Sequence, residues 1–207
     1  MTKNKNYEIE VRGPLHKDQF DRLLKFFSKK GKEKDYKERV LIDFSESIGS
    51  KKLDKRSVDL RIRSTNGIPE IILKQGKWAA QDARNEISIL TERGSFDKLV
   101  EFFGAIGITK GVLCERNIAT FDYKDIEFAL IKIAEKYYTF EAEVLVGDRK
   151  ESEIARKKIN DVCRELGLDI YSDKEFFDFI QLLNGTVNKK FDFAEYEPGF
   201  FKKKYGI

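Results

Sequence analysis

Hydrophobic and charged residues alternate near the start of the chain. From Tyr7 to Arg12 the odd-numbered residues are apolar and the even-numbered residues are charged. Because successive side chains of a strand point to opposite faces, this period of two predicts a strand with one charged face. Similar patterns predict further strands at residues 37–44, 58–64, 69–75, 84–90, 111–121, 126–132 and 139–146. Eight antiparallel strands are enough to close a barrel.

Other segments have apolar residues at helical spacing. Residues 15–30 place Phe20, Leu23 and Phe27 on one side of a helix. The same spacing predicts helices at residues 95–103, 150–166 and 174–183. The predicted order along the chain is a strand, a helix, several strands, a second helix, further strands and then two helices. This order favours an α+β fold, a closed eight-stranded antiparallel β-barrel with helices packed outside, over a doubly wound parallel sheet.

Several predicted strands carry charge on one face and apolar residues on the other. In residues 58–63, for example, Asp59, Arg61 and Arg63 alternate with apolar positions. The usual explanation is that the charged face of an antiparallel sheet points to water. Helices need an apolar face to pack against, however, and helices outside the barrel would leave the charged faces in its lumen. A lumen with buried charges of both signs calls for an anionic ligand together with metal cations.

The basic residues on these faces match the chemistry of a polyphosphate. Arginine side chains form paired hydrogen bonds with phosphate oxygens, and lysine supplies a point charge. The candidates for triphosphate binding are Arg12, Arg61, Arg63, Lys74, Arg84 and Arg116.

Two Glu-x-Glu pairs supply the acidic part of the pattern. Glu8 and Glu10 lie near the start of the chain, and Glu141 and Glu143 lie on the last predicted barrel strand. A spacing of two brings both carboxylates of a pair to one face of the strand. Carboxylates repel a polyphosphate unless a hard cation lies between them, so these pairs predict a site for Mg²⁺ or Mn²⁺. Glu86 is a further candidate ligand.

Composition narrows the chemistry that such a site can use. The 40 Lys and Arg residues and 36 Asp and Glu residues leave a net charge of +4, too balanced to indicate a dedicated nucleic-acid binder. Cys114 and Cys163 are the only cysteines and His16 is the only histidine. This excludes a Cys/His zinc cluster and leaves little material for a Ser-His or Cys-His pair. Catalysis would therefore use carboxylates, lysines, arginines or a hard metal.

The length of 207 residues favours a single main domain. We predict this domain at residues 1–185 and an aromatic and basic tail, packed on or near the barrel, at residues 186–207. The sequence has no stretch of about 18 uncharged residues and no apolar segment typical of a secretion signal. A cytoplasmic protein without a membrane partner is the expectation. Whether it is a monomer or a homodimer is left open.

The charged motifs also occur in a characteristic order along the chain. They are Glu8-Ile9-Glu10-Val11-Arg12, Arg61-Ile62-Arg63, Leu73-Lys74, Arg84-Asn85-Glu86, Arg116 and Glu141-Ala142-Glu143. This ordered set resembles the CYTH superfamily, also called triphosphate tunnel metalloenzymes. The superfamily includes class IV adenylyl cyclases, thiamine triphosphatases, inorganic tripolyphosphatases and, more distantly, RNA 5′-triphosphatases of the fungal type.

The resemblance extends from Tyr7 to Leu183 and implies an eight-stranded tunnel that binds a triphosphate and a metal. It implies that the catalytic metal is held by Glu8, Glu10, Glu141 and Glu143, with Glu86 as a further acidic position. It implies phosphate contacts for Arg61, Arg63, Lys74, Arg84 and Arg116.

This chain departs from the family pattern at three places. Arg12 stands where the family usually has lysine, which keeps the charge but changes the hydrogen-bond geometry. Ser88 stands where a second acidic residue is usual. The approach to Glu141, residues 132–138, has no counterpart of an Asp that many members carry. The number of bound metals is therefore open.

Four functions are compatible with this sequence. We favour hydrolysis of tripolyphosphate, thiamine triphosphate or a nucleoside triphosphate, because making cyclic AMP from ATP additionally requires a pocket that places the ribose hydroxyl in line. An adenylyl cyclase is the first alternative. A non-catalytic module that binds polyphosphate, a nucleotide or a triphosphorylated RNA end is the second. A plain nucleic-acid-binding barrel, using aromatics such as Tyr123 and Tyr137, is the third.

Overall fold

The computed structural model describes residues 7–49, 52–79 and 81–207. Residues 1–6 of the predicted domain lie outside the described residues. The described strands are β1 (Tyr7–Leu15), β2 (Lys32–Asp43), β3 (Val58–Thr65), β4 (Ile68–Gln75), β5 (Gln81–Leu90), β6 (Lys110–Tyr123), β7 (Ile126–Ile133), β8 (Tyr137–Val146) and β9 (Lys189–Asp192). The helices are α1 (Lys17–Lys30), α2 (Ser45–Ile48), α3 (Phe96–Ala105), α4 (Ser152–Glu165), α5 (Asp173–Thr186) and α6 (Phe200–Tyr205).

The strands form one antiparallel sheet that closes on itself. Their order is β2-β3-β4-β5-β1-β8-β7-β6-β9, and β2 also pairs with β6. The first eight strands therefore form a closed barrel, and β9 is added beside β6. This topology confirms the predicted α+β fold with an eight-stranded antiparallel barrel.

The chain divides into two compact units, and the first contains both β1 and β8. It comprises the residues up to Lys37, Ala79–Asn85 and Asn117–Phe179. Alternate residues of β1 and β8 share a core with α1 and α4. Phe27 of α1, for example, stacks on Phe128 of β7 with ring centroids 4.9 Å apart. The apolar strand faces of this unit thus contact helices, which leaves the charged positions on the other side of the strands.

The second unit has a core of its own. It comprises Glu38–Trp78, Glu86–Arg116 and Ile180–Ile207. Ile62 of β3 and Ile42 of β2 pack there with Phe96 and Val100 of α3. As in the first unit, the apolar face of alternating strand residues packs on a helix.

The last segment of the chain is part of this second core. β9 pairs with β6, and Phe201 of α6 is fully buried. The carboxylate of Asp97, in α3, accepts hydrogen bonds from the backbone nitrogens of Phe201 at 3.1 Å and Lys202 at 2.9 Å. These bonds fix the start of α6 against α3. The predicted boundary between residues 185 and 186 stays a prediction.

Sequence patterns missed β9 and α6. The four residues of β9 have no clear alternation of their own, because their strand conformation depends on pairing with β6. α6 has only six residues and is fixed by Asp97, a residue far from it in sequence. Among the described residues no helix is long and apolar enough to cross a membrane.

Replacing Phe201 with alanine should destabilise the second unit. Phe201 is fully buried, so Phe201→Ala should lower the free energy of unfolding by about 3–5 kcal/mol. The neighbouring Phe200 is 38% exposed, so Phe200→Ala is the control and should cost far less. Urea unfolding followed by fluorescence of Trp78, the only tryptophan, measures both variants. Equal losses would show that the tail is not part of the core.

Candidate functional site

The predicted acidic residues of the first unit share one face of the sheet. In the register of β1 and β8, Glu10 lies opposite Glu143 and Arg12 lies opposite Glu141. On the other side of β1, Glu8 lies opposite Arg84 of β5. Because directly opposite residues project to the same side, the strands bring six predicted site residues together. They are Glu8, Glu10, Arg12, Arg84, Glu141 and Glu143.

Arg12 is buried among several partners on this face. Its Nη2 donates to Oε2 of Glu10 at 2.5 Å, and its Nε lies 3.3 Å from Oε1 of Glu141. Its Nη1 donates to the carbonyl oxygen of Ala79 at 2.9 Å. The guanidinium also lies over the ring of Phe176 in α5, at 5.1 Å from the centroid. One arginine therefore links a glutamate of each Glu-x-Glu pair.

Glu143 is held in a different environment, next to another carboxyl group. Burial, together with the negative charges of Glu8 and Glu127, raises the pKa of Glu143 to about 8. Glu8 lies two residues before Glu10 on the same face of β1, and Glu10 is directly opposite Glu143, so Glu8 and Glu143 are diagonal neighbours. The raised pKa means that Glu143 keeps its proton to a higher pH than a free glutamate does. A divalent cation could replace that proton.

Glu127 is a member of this acidic group that the sequence analysis missed. It lies on β7 directly opposite Glu143, and Lys34 Nζ donates to its Oε2 at 2.5 Å. A cavity of about 480 Å³ is lined by Lys34, Glu127 and Glu143, among other residues. The alternation of Ile126, Glu127 and Phe128 was a signal for a charged position on this strand.

Arg61 and Arg63 of the second unit are paired with carboxylates. Arg61 donates through Nε to Oδ1 of Asp59 at 2.6 Å and also bonds Oδ2 of the same group. Arg63 donates through Nε to Oε1 of Glu70 at 2.7 Å.

Lys74 has a similar arrangement with Glu86. Its Nζ lies 2.8 Å from Oε2 of Glu86. Burial acts to raise the pKa of Glu86, but the charge of Lys74 and its hydrogen bond outweigh that effect, so the pKa is lowered. Glu86 is therefore a lysine partner as well as a candidate metal ligand.

Ser88 is also part of the second unit, and a carboxylate lies beside it. Its hydroxyl donates to Oε2 of Glu70 at 2.7 Å. Burial acts to raise the pKa of Glu70, but hydrogen bonds from Arg63 and Ser88 lower it overall. A carboxylate of β4 therefore lies beside Ser88.

Arg116 lies on β6 with contacts near the tail. Its Nη1 donates to the carbonyl oxygen of Glu115 at 2.8 Å and to Oδ1 of Asn188 at 3.2 Å. Asn188 directly precedes β9. These contacts hold the guanidinium beside the C-terminal segment.

A ready-made metal centre is not visible in the side-chain arrangement. Within residues 7–49, 52–79 and 81–207, no group of three or more Asp, Glu, His or Cys side chains is arranged to hold a metal ion. Glu10 and Glu141 both contact Arg12. Glu8, Glu10, Glu141 and Glu143 share a face of the first unit, but no three described carboxylates are arranged to hold one metal ion.

Comparisons with known proteins identify the fold of the chain but do not assign it to a family. Neither a protein-family model nor a curated protein sequence matches the chain. Several solved structures share its fold. The PH1012 protein from Pyrococcus horikoshii is 18% identical with a TM-score of 0.63, and the match covers 79% of this chain and 94% of that one.

Two other similar structures come from proteins named as proposed cyclases. One is a proposed adenylate cyclase from Vibrio parahaemolyticus, 13% identical with a TM-score of 0.59, covering 82% of this chain and 91% of that one. The other, from Hippeastrum, is a proposed adenylyl cyclase described as having a dominant triphosphatase activity. It is 12% identical with a TM-score of 0.53, covering 81% of this chain and 90% of that one. At these identities the likeness establishes the fold, and the fold is the one that the CYTH resemblance implies.

The raised pKa of Glu143 should make stability depend on pH. Between the pKa of an unfolded glutamate and about 8, the folded protein holds a proton that the unfolded chain releases. Stability should therefore fall as the pH rises through this window. Across this pH range the Glu143→Gln variant should lose less unfolding free energy than the parent protein, by at least about 1 kcal/mol, which corresponds to about 2–4 °C in Tm.

Thermal unfolding of metal-free protein between pH 5 and pH 8.5, with a chelator present, measures this difference. The exposed Glu33 provides the control variant Glu33→Gln, which should follow the parent protein. Parallel pH profiles for the parent and Glu143→Gln would contradict the assignment.

Proposed function

We propose that this protein is a divalent-metal-dependent hydrolase of a triphosphate compound. The observation that carries the proposal is the acidic face of the first unit, where the two Glu-x-Glu pairs lie side by side on the adjacent strands β1 and β8. Tripolyphosphate, thiamine triphosphate and nucleoside triphosphates are the candidate substrates. The fold supports the proposal, because the similar Hippeastrum protein is described as having a dominant triphosphatase activity.

The donor chemistry of the acidic face suits a hard cation. Carboxylate oxygens are the ligands that Mg²⁺ and Mn²⁺ prefer, and the cation would relieve the repulsion between Glu8 and Glu143. When bound, such an ion supplies positive charge to phosphate oxygens and makes a water molecule more acidic. Glu10, Glu141 and Glu127 would surround these two ligands on the same face.

The basic residues of the second unit would bind phosphate oxygens. Asp59 and Glu70 fix the directions of Arg61 and Arg63, so that little side-chain entropy is lost when phosphate binds. For Arg63, only Nε has a hydrogen-bond acceptor among the residues that the structure describes. Its terminal nitrogens remain as donors for a phosphate group. Lys74 would add a point charge, and Arg116 is a further proposed phosphate ligand of this unit. Arg84, opposite Glu8 in the first unit, is the remaining one.

Adenylyl cyclase activity is the alternative reaction. The Vibrio and Hippeastrum proteins, both named as proposed cyclases, have this fold. Cyclization needs the ribose hydroxyl held in line with the α-phosphorus, which requires a nucleoside pocket in addition to the phosphate site. A third proposal, without turnover, is a module that binds a polyphosphate or a triphosphorylated RNA end. A cytoplasmic location and a monomer or homodimer remain expectations from the sequence.

Product analysis separates these functions. The protein is incubated with tripolyphosphate, thiamine triphosphate, ATP or triphosphorylated RNA, each with Mg²⁺ or Mn²⁺. We expect release of phosphate from at least one substrate, and its loss in Glu143→Gln with the fold retained. Formation of cyclic AMP and pyrophosphate from ATP would show that the protein is a cyclase and would overturn the proposed hydrolysis. Tight binding without any product would favour the binding module.

Removing Arg63 should weaken triphosphate binding. A hydrogen bond to a charged group contributes about 1.5–3 kcal/mol, so Arg63→Ala should raise Kd for tripolyphosphate about 10- to 100-fold. Arg93, an exposed arginine of the same unit, provides the control variant Arg93→Ala. Calorimetric titration of the folded variants measures the change. Equal affinities in the parent and Arg63→Ala would exclude Arg63 from the phosphate site.

A further inference from the structure

Arg116 is held by a residue from the C-terminal segment of the chain. Its Nη1 donates to Oδ1 of Asn188 at 3.2 Å and to the carbonyl oxygen of Glu115 at 2.8 Å. Asn188 lies between α5 and β9, beyond Leu183, where the resemblance to the CYTH superfamily ends. The resemblance therefore assigns no role to this asparagine.

The strand that carries Arg116 places it on the same side of the sheet as Arg61. Leu113 of β6 and Ile62 of β3 belong to the core of the second unit. Arg116, three residues after Leu113, and Arg61, next to Ile62, point to the opposite face of their strands. β2 pairs with both of these strands and lies between them. The two guanidiniums therefore share the face that is turned away from this core.

The position of Asn188 is fixed by its own hydrogen bonds. Its Nδ2 donates to Oδ1 of Asn184 in α5 at 2.7 Å, so the amide oxygen is the atom that faces Arg116. Its backbone nitrogen donates to the carbonyl oxygen of the buried Leu183 at 2.9 Å. The next residue, Lys189, begins β9, which pairs with β6. Asn188 is thus fixed to α5 on one side and to the strand of Arg116 on the other.

The two oxygen atoms that accept from Nη1 of Arg116 are uncharged. An amide oxygen and a carbonyl oxygen orient the guanidinium without cancelling its positive charge. Asp59, which bonds Arg61, is by contrast a carboxylate and offsets the charge of its arginine. A side chain that is already oriented loses less entropy when it binds an anion. Asn188 is therefore suited to fix Arg116 and to leave its attraction for phosphate intact.

We propose that Asn188 is a positioning residue for Arg116 and holds the guanidinium in the orientation that binds a phosphate group of the triphosphate. This inference rests on the proposed function and deepens its phosphate site. It connects the C-terminal segment with substrate binding, in addition to the part that this segment has in the second core.

A double-mutant cycle with tripolyphosphate as the ligand tests the inference. Calorimetric titration of metal-free protein, with a chelator that prevents the metal-dependent reaction, gives Kd for the parent, Asn188→Leu, Arg116→Ala and the double variant. Asn188→Leu should raise Kd about 3- to 10-fold, and Arg116→Ala should raise it about 10- to 100-fold. Because Asn188 acts through Arg116, Kd of the double variant should match that of Arg116→Ala within about twofold.

Thr186→Ala is the matched control. It removes an exposed hydroxyl of the same segment, which donates to the carbonyl oxygen of Leu182, and it should leave Kd unchanged. If Asn188→Leu does not fold, Asn188→Ala removes the same acceptor with a smaller side chain and should give the same pattern. Unchanged affinity in a folded Asn188 variant would overturn the inference. An equal loss of affinity when Arg116 is already alanine would do the same, because it would show a general structural role.

The measurements also separate this inference from the proposed function. The expected cycle, without turnover of any triphosphate in the presence of Mg²⁺ or Mn²⁺, would leave the inference in place and overturn hydrolysis. Turnover by the parent protein, with equal Kd in the parent and Asn188→Leu, would leave hydrolysis in place and overturn the inference. If the parent protein binds no tripolyphosphate, the proposed phosphate site and the inference both fail.

Discussion

Pairing of buried charges is the constraint on which the rest of this structure depends. Each barrel strand that packs one face on helices must place its alternate residues on the other side, and on β1, β3 and β8 most of these residues are Asp, Glu or Arg. Charge removed from water is tolerated only beside an opposite charge or an ion. Arg12 with Glu10 and Arg63 with Glu70 meet this requirement within the protein. Glu143, by contrast, is a buried acid whose pKa is raised by burial and by the negative charges of Glu8 and Glu127.

This difference is the basis of the proposed metal site. A neutral pair such as Arg61 and Asp59 fixes a side chain without needing a ligand. A pair of acids keeps a repulsion that only a proton or a cation can relieve. The proposed metal site is the part of the charged face where Glu143 lies directly opposite both Glu10 and Glu127.

The period of two and the helical spacing were sufficient to predict the barrel strands and four of the helices. Those patterns record which side of an element is buried, and burial is what fixes these elements. The shared face of Glu10, Arg12, Glu141 and Glu143 could be predicted for the same reason. The contacts within that face could not, because they depend on strand register. Glu127 meets Glu143, and Ser88 meets Glu70, only through pairing with a neighbouring strand.

The position of α6 has a consequence for how the chain folds during synthesis. The core of the second unit contains Ile42 and Phe201, which are far apart in sequence. A growing chain cannot complete this core until α6 has left the ribosome, whereas every residue of the first unit precedes Ile180. The first unit, which contains the glutamate pairs, can therefore begin to pack before the second unit has the residues of α6 that complete its core. During that interval, Ile42 and Phe44 lack part of the apolar core that buries them in the folded protein.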